Sequence, residues 1–242
     1  MRRRFGFGFL GLLLLAGGTG LYLKSINETL PGPLQVESIT QPAETEQPAH
    51  PTDTPDSLWV IVNKSRPLPE AYRPIGLEQP AVLLNEDKTQ DENSLRTDAA
   101  RAVELLFKEA QSTGYELMLA SGFRSVEQQK IYYDNYVALV GQEAANRVSA
   151  RPGHSEHQTG LALDIARADR FCYIDLCFAE TGEGRWLKAN AHRFGFIIRY
   201  PEGKQAVTGY SYEPWHFRYV GADLAAELQK SGLTMEEHFK IQ

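Results

Sequence analysis

The most constraining feature of this sequence is a single carboxylate inside an apolar run. Asp164 lies in residues 161–165, where every other residue is apolar, and Gly160 directly precedes that run. The pattern predicts a turn that leads into a buried strand. Because an unpaired charge in such a strand is costly, we expect the fold to place a cation opposite Asp164. His157 stands just before the turn and can approach the same point.

A second segment also combines a histidine, an acid and the entry to a strand. It reads Glu213-Pro214-Trp215-His216, and the proline argues against a helix interior. Two imidazoles and one carboxylate (His157, Asp164 and His216) form a ligand set of the kind that catalytic zinc uses, with a fourth position left for water. Glu213 is placed next to a ligand, where a carboxylate can remove a proton from that water.

Each of these residues also has an ordinary structural explanation when it is taken alone. A single histidine is more often a hydrogen-bonded core or surface residue than a metal ligand, and an aspartate in a strand often caps a turn or pairs with an arginine. Short motifs also match by chance. The joint pattern of two such segments is the reason for preferring a zinc site.

The periodicity of the remaining sequence predicts an α+β fold, a small and mainly antiparallel sheet with flanking helices. Helices are expected from Thr97 or Asp98 to Gly114, from Ser125 to about Gly141, and over 184–194 and 222–230. Strands are expected over 58–62, 115–120, 161–166, 196–200 and 215–220.

The N-terminal sequence predicts export. Residues 5–23 carry no charge and follow three arginines at 2–4. As a helix this run spans roughly 28 Å, close to the hydrocarbon thickness of a bilayer. We expect a cytoplasmic stub at residues 1–4 and a transmembrane signal anchor at 5–23, with everything after it outside the cytoplasm. A cleaved signal peptide is the alternative, since small residues fill positions 16–20.

Composition separates a linker from the domain that follows. Residues 24–56 are rich in proline and acids and have no lysine or arginine after Lys24, which predicts a disordered linker. Residues 57–242 are then expected to form the globular domain. The net charge of −6, with the basic stub at one end, leaves an acidic body and argues against nucleic-acid binding.

Cys172 and Cys177 are the only cysteines of the chain. An even number in an exported domain permits a disulfide between them, and we favour it. Two reduced, buried thiols are the alternative, because spacing alone does not satisfy the demanding geometry of the bridge.

Four short motifs resemble those of one enzyme family. Residues 155–164 fit the pattern S-x-H-x-x-G-x-A-x-D, and residues 213–216 fit E-x-W-H. Residues 121–125 (SGFRS) are similar to a third family element, and the region of Val62 to Pro69 to the opening of its domain. Over about residues 58–235 the chain resembles the VanY-type zinc D-alanyl-D-alanine carboxypeptidases, peptidoglycan metallopeptidases with a hedgehog-like fold.

The resemblance implies a role for individual residues. One Zn²⁺ would be held by His157, Asp164 and His216, with Glu213 as general base and later proton donor. Arg124 would bind the C-terminal carboxylate of the substrate, a task that suits a planar and permanently charged guanidinium. Gln129 and Ser155 would be further substrate contacts. The implied substrate is a peptidoglycan stem peptide, cleaved at its D-Ala-D-Ala bond.

One alternative function lacks its sequence elements, and two others stay open. A serine enzyme of the penicillin-binding type needs S-x-x-K and K-T-G elements, and the chain contains neither. A non-catalytic wall-binding module would need neither Glu213 nor a metal. An L,D-carboxypeptidase or an endopeptidase acting on peptidoglycan stems would use the same zinc site with a different subsite shape.

Overall fold

A four-stranded antiparallel sheet is the centre of the fold, and it agrees with the small antiparallel sheet that the sequence predicts. The computed structural model describes residues 52–241. Strands follow the order β3-β4-β6-β5 in this sheet, and a short antiparallel pair, β1-β2, lies apart from it. The strands are β1 Leu77–Glu78, β2 Leu95–Arg96, β3 Leu117–Ser121, β4 Ala162–Arg167, β5 Phe196–Ile198 and β6 His216–Tyr219.

Seven α-helices are described around the sheet. They are α1 Thr97–Ser112, α2 Val126–Val140, α3 Gln142–Val148, α4 Gly182–Asn190, α5 Gln205–Thr208, α6 Ala222–Ser231 and α7 Met235–His238. Short 3₁₀ helices span Glu156–Thr159, Leu176–Glu180 and Ala191–Phe194. The helix predicted over 184–194 is therefore α4 followed by a 3₁₀ turn. All four predicted helices are present, within a few residues of the expected bounds.

The helix starts differ in how well the sequence predicts them. Ser125 caps α2 as expected, because its side chain accepts a hydrogen bond from the backbone N–H of Gln128. The expected cap of α1 is wrong: Arg96 occupies the N-cap, and both Thr97 and Asp98 lie inside the helix. The Thr97 hydroxyl instead donates to the Gly76 carbonyl, at 3.1 Å.

The main hydrophobic core lies between α1 and the central sheet. The buried face of α1 includes Val103 and Leu106, and it packs in the same cluster as Leu163 and Phe217 of the sheet. Successive side chains of β4 point to opposite faces of the sheet, so Leu163 and Ile165 lie in this core and Asp164 lies on the other face. The position of the carboxylate therefore follows from the register of the strand.

The strand predicted over 58–62 is not formed. Val60, Ile61 and Val62 are buried, but their backbone is irregular and joins no sheet. The carbonyls of Leu58 and Val60 instead accept hydrogen bonds from the Arg218 guanidinium, each at 3.0 Å. A buried side-chain donor thus satisfies these carbonyls in place of a neighbouring strand.

The predicted stub and anchor at residues 1–23 lie outside the described residues, as does most of the predicted linker. Within residues 52–241 no helix is both long enough and apolar enough to cross a bilayer. Residues 52–56 contact the domain: the hydroxyl of Tyr72 donates to the Pro55 carbonyl at 2.9 Å, and Arg96 donates to that of Asp56 at 2.8 Å. Residues shortly before the expected boundary at 57 thus also pack against the domain.

Candidate metal centre

Three chain segments bring His157, Asp164 and His216 to one place. His157 lies on the 3₁₀ helix Glu156–Thr159, which ends at Gly160 with a left-handed φ of 69°. The chain then enters β4, where Asp164 is directly opposite His216, the first residue of β6. Sheet register therefore pairs the second and third residues, and the glycine turn brings the first beside them.

The side chains of these three residues face one common point. His157 Nε2 lies 3.4 Å from Asp164 Oδ2, and His216 Nδ1 lies 3.4 Å from Asp164 Oδ1. One possible ligand atom from each residue falls within 4.8 Å of the others. All three residues are buried, with 3%, 7% and 5% exposure. This is the convergence that a three-ligand metal site requires.

A hydrogen bond fixes which nitrogen of His157 faces the centre. Its Nδ1 donates to the Gly122 carbonyl at 2.6 Å, so Nε2 carries the lone pair that points toward Asp164. Gly122 has no space for a side chain, since a Cβ atom there would lie 2.4 Å from the Ser94 carbonyl oxygen. The backbone at Gly122 therefore packs closely against that of Ser94, and this packing holds in place the Gly122 carbonyl that orients His157.

Burial and neighbouring charges shift the pKa values of the three residues. Burial, together with the nearby Arg124, lowers the pKa of His157 to about 4. Burial also opposes a charge on His216, but the carboxylates of Asp164 and Glu156 outweigh it and raise the pKa to about 9. The pKa of Asp164 stays well below its usual range, because the two histidines outweigh the effect of burial. The carboxylates thus favour a positive charge at the centre.

These residues fit a zinc ion. Two imidazoles and one carboxylate are a ligand set of catalytic zinc sites, and three protein ligands leave a position for water. Asp164 Oδ1 is buried and has no hydrogen-bond partner among the described residues, which is costly unless a cation lies nearby. Among residues 52–241 this is the group of histidines and acids whose ligand atoms converge closely enough for a metal.

Glu213 lies beside the centre on the turn that precedes β6. Its backbone N–H donates to the Tyr200 carbonyl at 3.1 Å, and its own carbonyl accepts from the His216 N–H at 3.2 Å. Glu213 Oε2 is 3.5 Å from His216 Nδ1. Burial, opposed by the charge of His216, raises the pKa of Glu213 to about 7. A carboxyl group with this pKa can both accept and donate a proton near neutral pH.

Arg124 and Gln129 lie on the other side of the centre and contact each other. Arg124 Nη2 is 3.3 Å from Asp164 Oδ2, and Nη1 donates to Gln129 Oε1 at 3.0 Å. Gln129 Nε2 in turn donates to the Ala150 carbonyl at 2.8 Å. The oxygen and the nitrogen of the Gln129 amide are therefore both hydrogen-bonded within the protein, and Gln129 orients Arg124. The contact between Gln129 and the substrate stays a prediction.

The centre opens into a cleft of about 680 Å³. Ser155 is buried in its lining, and Arg124 and Glu213 also face it. The loop closed by a Cys172–Cys177 disulfide contributes one wall through Tyr173, Ile174 and Leu176. The disulfide that the sequence favours is present, and its loop forms part of the cleft wall.

A buried cluster behind His216 was not predicted. It contains Glu156, Arg199, Arg218 and Glu236, whose side chains are at most 2% exposed. Arg218 lies within β6 and Arg199 directly follows β5, so both are charges beside apolar strand residues. The reasoning that singled out Asp164 could also have found these two arginines.

Comparison with known proteins places the site in an enzyme family. Residues 92–222, which include every candidate site residue above, match the VanY family of D-alanyl-D-alanine carboxypeptidases. A D-alanyl-D-alanine carboxypeptidase of Enterococcus faecalis (strain ATCC 700802 / V583) is 36% identical over 196 residues, covering 76% of this chain and 66% of that protein.

Two solved structures extend the comparison. The LD-carboxypeptidase LdcB is 42% identical with a TM-score of 0.73, and the match covers 77% of this chain and 87% of that one. A mutant of the vancomycin-resistance D,D-pentapeptidase VanY, solved in complex with Zn(II), is 35% identical with a TM-score of 0.61. The match covers 74% of this chain and 97% of that one. The motifs, the fold and the matched residues agree, and the chain belongs to the VanY D-alanyl-D-alanine carboxypeptidase family.

Proposed function

We propose that this protein is a zinc-dependent carboxypeptidase that releases the C-terminal D-alanine of peptidoglycan stem peptides. The observation that carries the proposal is the convergence of His157, Asp164 and His216 on one point, with their ligand atoms within 4.8 Å of one another. Glu213 and Arg124 lie on the same cleft. The family and the relatives described above support hydrolysis of a C-terminal peptide bond.

In the proposed reaction the two flanking residues have separate tasks. Zinc, when bound, supplies a Lewis acid that acidifies water and polarises a carbonyl group. Glu213 takes a proton from the attacking water and passes it to the departing amine. Arg124, already oriented by Gln129, binds the terminal carboxylate and so restricts cleavage to the end of a peptide. Asp164 keeps Arg124 close to the reacting centre.

Two bonds are candidates for cleavage. The D-Ala-D-Ala bond of a pentapeptide stem is supported by the family match and by the Enterococcus faecalis relative. The L,D bond of a tetrapeptide stem is supported by LdcB, which has the higher identity and the higher TM-score of the two structures compared. We therefore place L,D cleavage first and D,D cleavage second. Both reactions release D-alanine and use the same residues.

Incubation of the full chain with defined stems tests this function. We expect mass spectrometry to show loss of one alanine from the tetrapeptide, the pentapeptide or both. EDTA should abolish this release, and added zinc should restore it, because the metal supplies the Lewis acid. The ratio of kcat/KM values for the two stems assigns the bond. A non-catalytic wall-binding module would instead bind stems and release nothing, with or without EDTA.

Activity should fall on the acid side of neutrality. Glu213 must be deprotonated to act as a base, and in the metal-free site its pKa is raised to about 7. A bound cation favours the carboxylate, so we expect kcat/KM to decline as the pH drops through a midpoint between about 5 and about 7. Initial rates across this range, with zinc in excess, check the result. A rate independent of pH from about 5 to about 8 contradicts the base assignment.

The proposal includes a membrane anchor. Residues 5–23, uncharged and preceded by three arginines, would span the membrane and keep residues 57–242 outside the cytoplasm, where peptidoglycan stems are accessible. Cleavage of the signal would release the same domain. Protease accessibility of the domain in intact cells, together with N-terminal sequencing, distinguishes these two forms from a cytoplasmic protein.

A further inference from the structure

A buried carboxylate lies near Nε2 of His216, the ring nitrogen that does not face Asp164. Glu156 is held through one oxygen: Oε1 accepts hydrogen bonds from Arg199 Nε at 2.7 Å and from Arg218 Nη1 at 2.8 Å. Neither arginine is exposed. Two charged donors on a single oxygen fix the position of the whole carboxylate.

The arginines are themselves held from behind. Arg199 donates through Nη1 and Nη2 to Glu236, at 2.9 and 2.6 Å, in a bidentate pair. Arg218 Nη2 donates to the carbonyls of Leu58 and Val60. The cluster thus contains two positive and two negative side chains. Such a buried arrangement holds its geometry strongly, since moving one member leaves another unpaired.

The second oxygen of Glu156 remains unused. Oε2 is buried and has no hydrogen-bond partner among residues 52–241, and the same is true of His216 Nε2. These two atoms face each other at 3.9 Å. An approach of about 1 Å would bring them to hydrogen-bond distance. Each atom is thus available as a hydrogen-bond partner for the other.

We propose that Glu156 is a positioning residue for His216, accepting a hydrogen bond from its Nε2–H and leaving the Nδ1 lone pair for the metal. This inference depends on the zinc site of the proposed function. His157 is oriented in the complementary way, since its Nδ1 donates to Gly122 and its Nε2 faces the centre. Partners of this kind fix the tautomer and the ring orientation of histidine ligands.

The substitution Glu156→Gln separates positioning from packing. Glutamine has nearly the same shape, and its oxygen can still accept from Arg199 and Arg218. Its NH₂ group would then face His216 Nε2 and can only donate, so Nε2 must become the acceptor and the proton moves to Nδ1. We expect zinc affinity, measured by chelator competition, to weaken by roughly 10- to 100-fold.

Glu236→Gln is the matched control. It removes one carboxylate from the same buried cluster but does not face His216, because Glu236 binds the opposite side of Arg199. We expect its zinc affinity to stay within about threefold of wild type, against the 10- to 100-fold loss typical of an outer partner of a ligand. Equal losses in the two variants would mean that Glu156 only supports packing, and would overturn the inference.

A measurement on the wild-type protein does not depend on the variants folding. In ¹⁵N-labelled, cadmium-substituted protein, coupling to the metal identifies the ligating nitrogen of each histidine. We expect coupling at Nδ1 of His216 and Nε2 of His157, and a hydrogen-bonded, slowly exchanging Nε2–H on His216. Coupling at Nε2 of His216 rejects this inference alone. Failure of the wild-type chain to bind zinc rejects the proposed function.

Discussion

Replacing Glu213 by glutamine should lower kcat by roughly 10²- to 10⁴-fold, the range that a lost general base typically costs. Zinc should stay bound at one ion per chain, because Glu213 is not among the three residues whose ligand atoms converge. The backbone bonds that hold the turn, from the Glu213 N–H to Tyr200 and from the His216 N–H to the Glu213 carbonyl, do not involve the replaced atoms. Initial rates and metal analysis of the same preparation check both statements.

The stability of this variant provides a further check. The folded-state pKa of Glu213 is raised to about 7 from an ordinary value near 4.5, so the folded protein favours the neutral form. The folded state gains its full stabilisation from this shift at pH values below the ordinary pKa. That stabilisation is lost as the pH rises through the folded-state pKa of about 7. Above pH 7 the zinc-free Glu213→Gln protein, which stays neutral, should therefore melt no lower than zinc-free wild type.

Glu202→Gln is a suitable control for the loss of activity, because Glu202 is an exposed glutamate on the loop that follows Tyr200. We expect this control to keep wild-type kcat and wild-type zinc content. Undiminished turnover in Glu213→Gln would remove the general base from the mechanism. It would leave the metal centre intact, since zinc binding is measured separately.

The metal centre could be predicted from sequence because each half of it is local. Gly160 connects His157 to the strand that carries Asp164, all within a few residues, and Glu213 and His216 share a single turn. Each segment therefore contains residues that are typical of a turn followed by a strand. Pairing of β4 with β6 then joins the two halves.

The cluster behind His216 could not be assembled in the same way. Arg199 and Arg218 give a local signal, as charges beside apolar strand residues, but their partner Glu236 lies 37 residues after Arg199, on α7. No periodicity relates the two positions, because the ion pair depends on how α7 packs against the sheet.

The missing strand over 58–62 has a similar cause. An apolar run does not distinguish a strand from irregular buried backbone, since both place apolar side chains in the interior. In this fold the Arg218 guanidinium reaches the carbonyls of Leu58 and Val60. A contact between residues about 160 positions apart thus decides the local structure.

Replacing His157 by alanine should release the metal. Three protein ligands are the usual minimum at a catalytic zinc, and two would remain. We expect zinc to fall from about one ion per chain to less than about a tenth after dialysis, and turnover to fall with it. Elemental analysis of dialysed protein gives the metal content directly, and added zinc should restore turnover only at concentrations far above those that saturate wild type.

His238→Ala is the matched control for this change. His238 Nδ1 lies 3.5 Å from a carboxylate oxygen of Glu227, and the residue is absent from the cleft lining. A general loss of histidine–carboxylate pairing would affect both variants, whereas loss of a ligand affects only His157→Ala.

The substitution of His157 also removes the Nδ1 bond to Gly122 and so weakens packing. The melting temperature of His157→Ala is therefore compared with that of EDTA-treated wild type. Stoichiometric zinc in folded His157→Ala protein would show that the ion is held elsewhere, and the proposed reaction would then lose its centre.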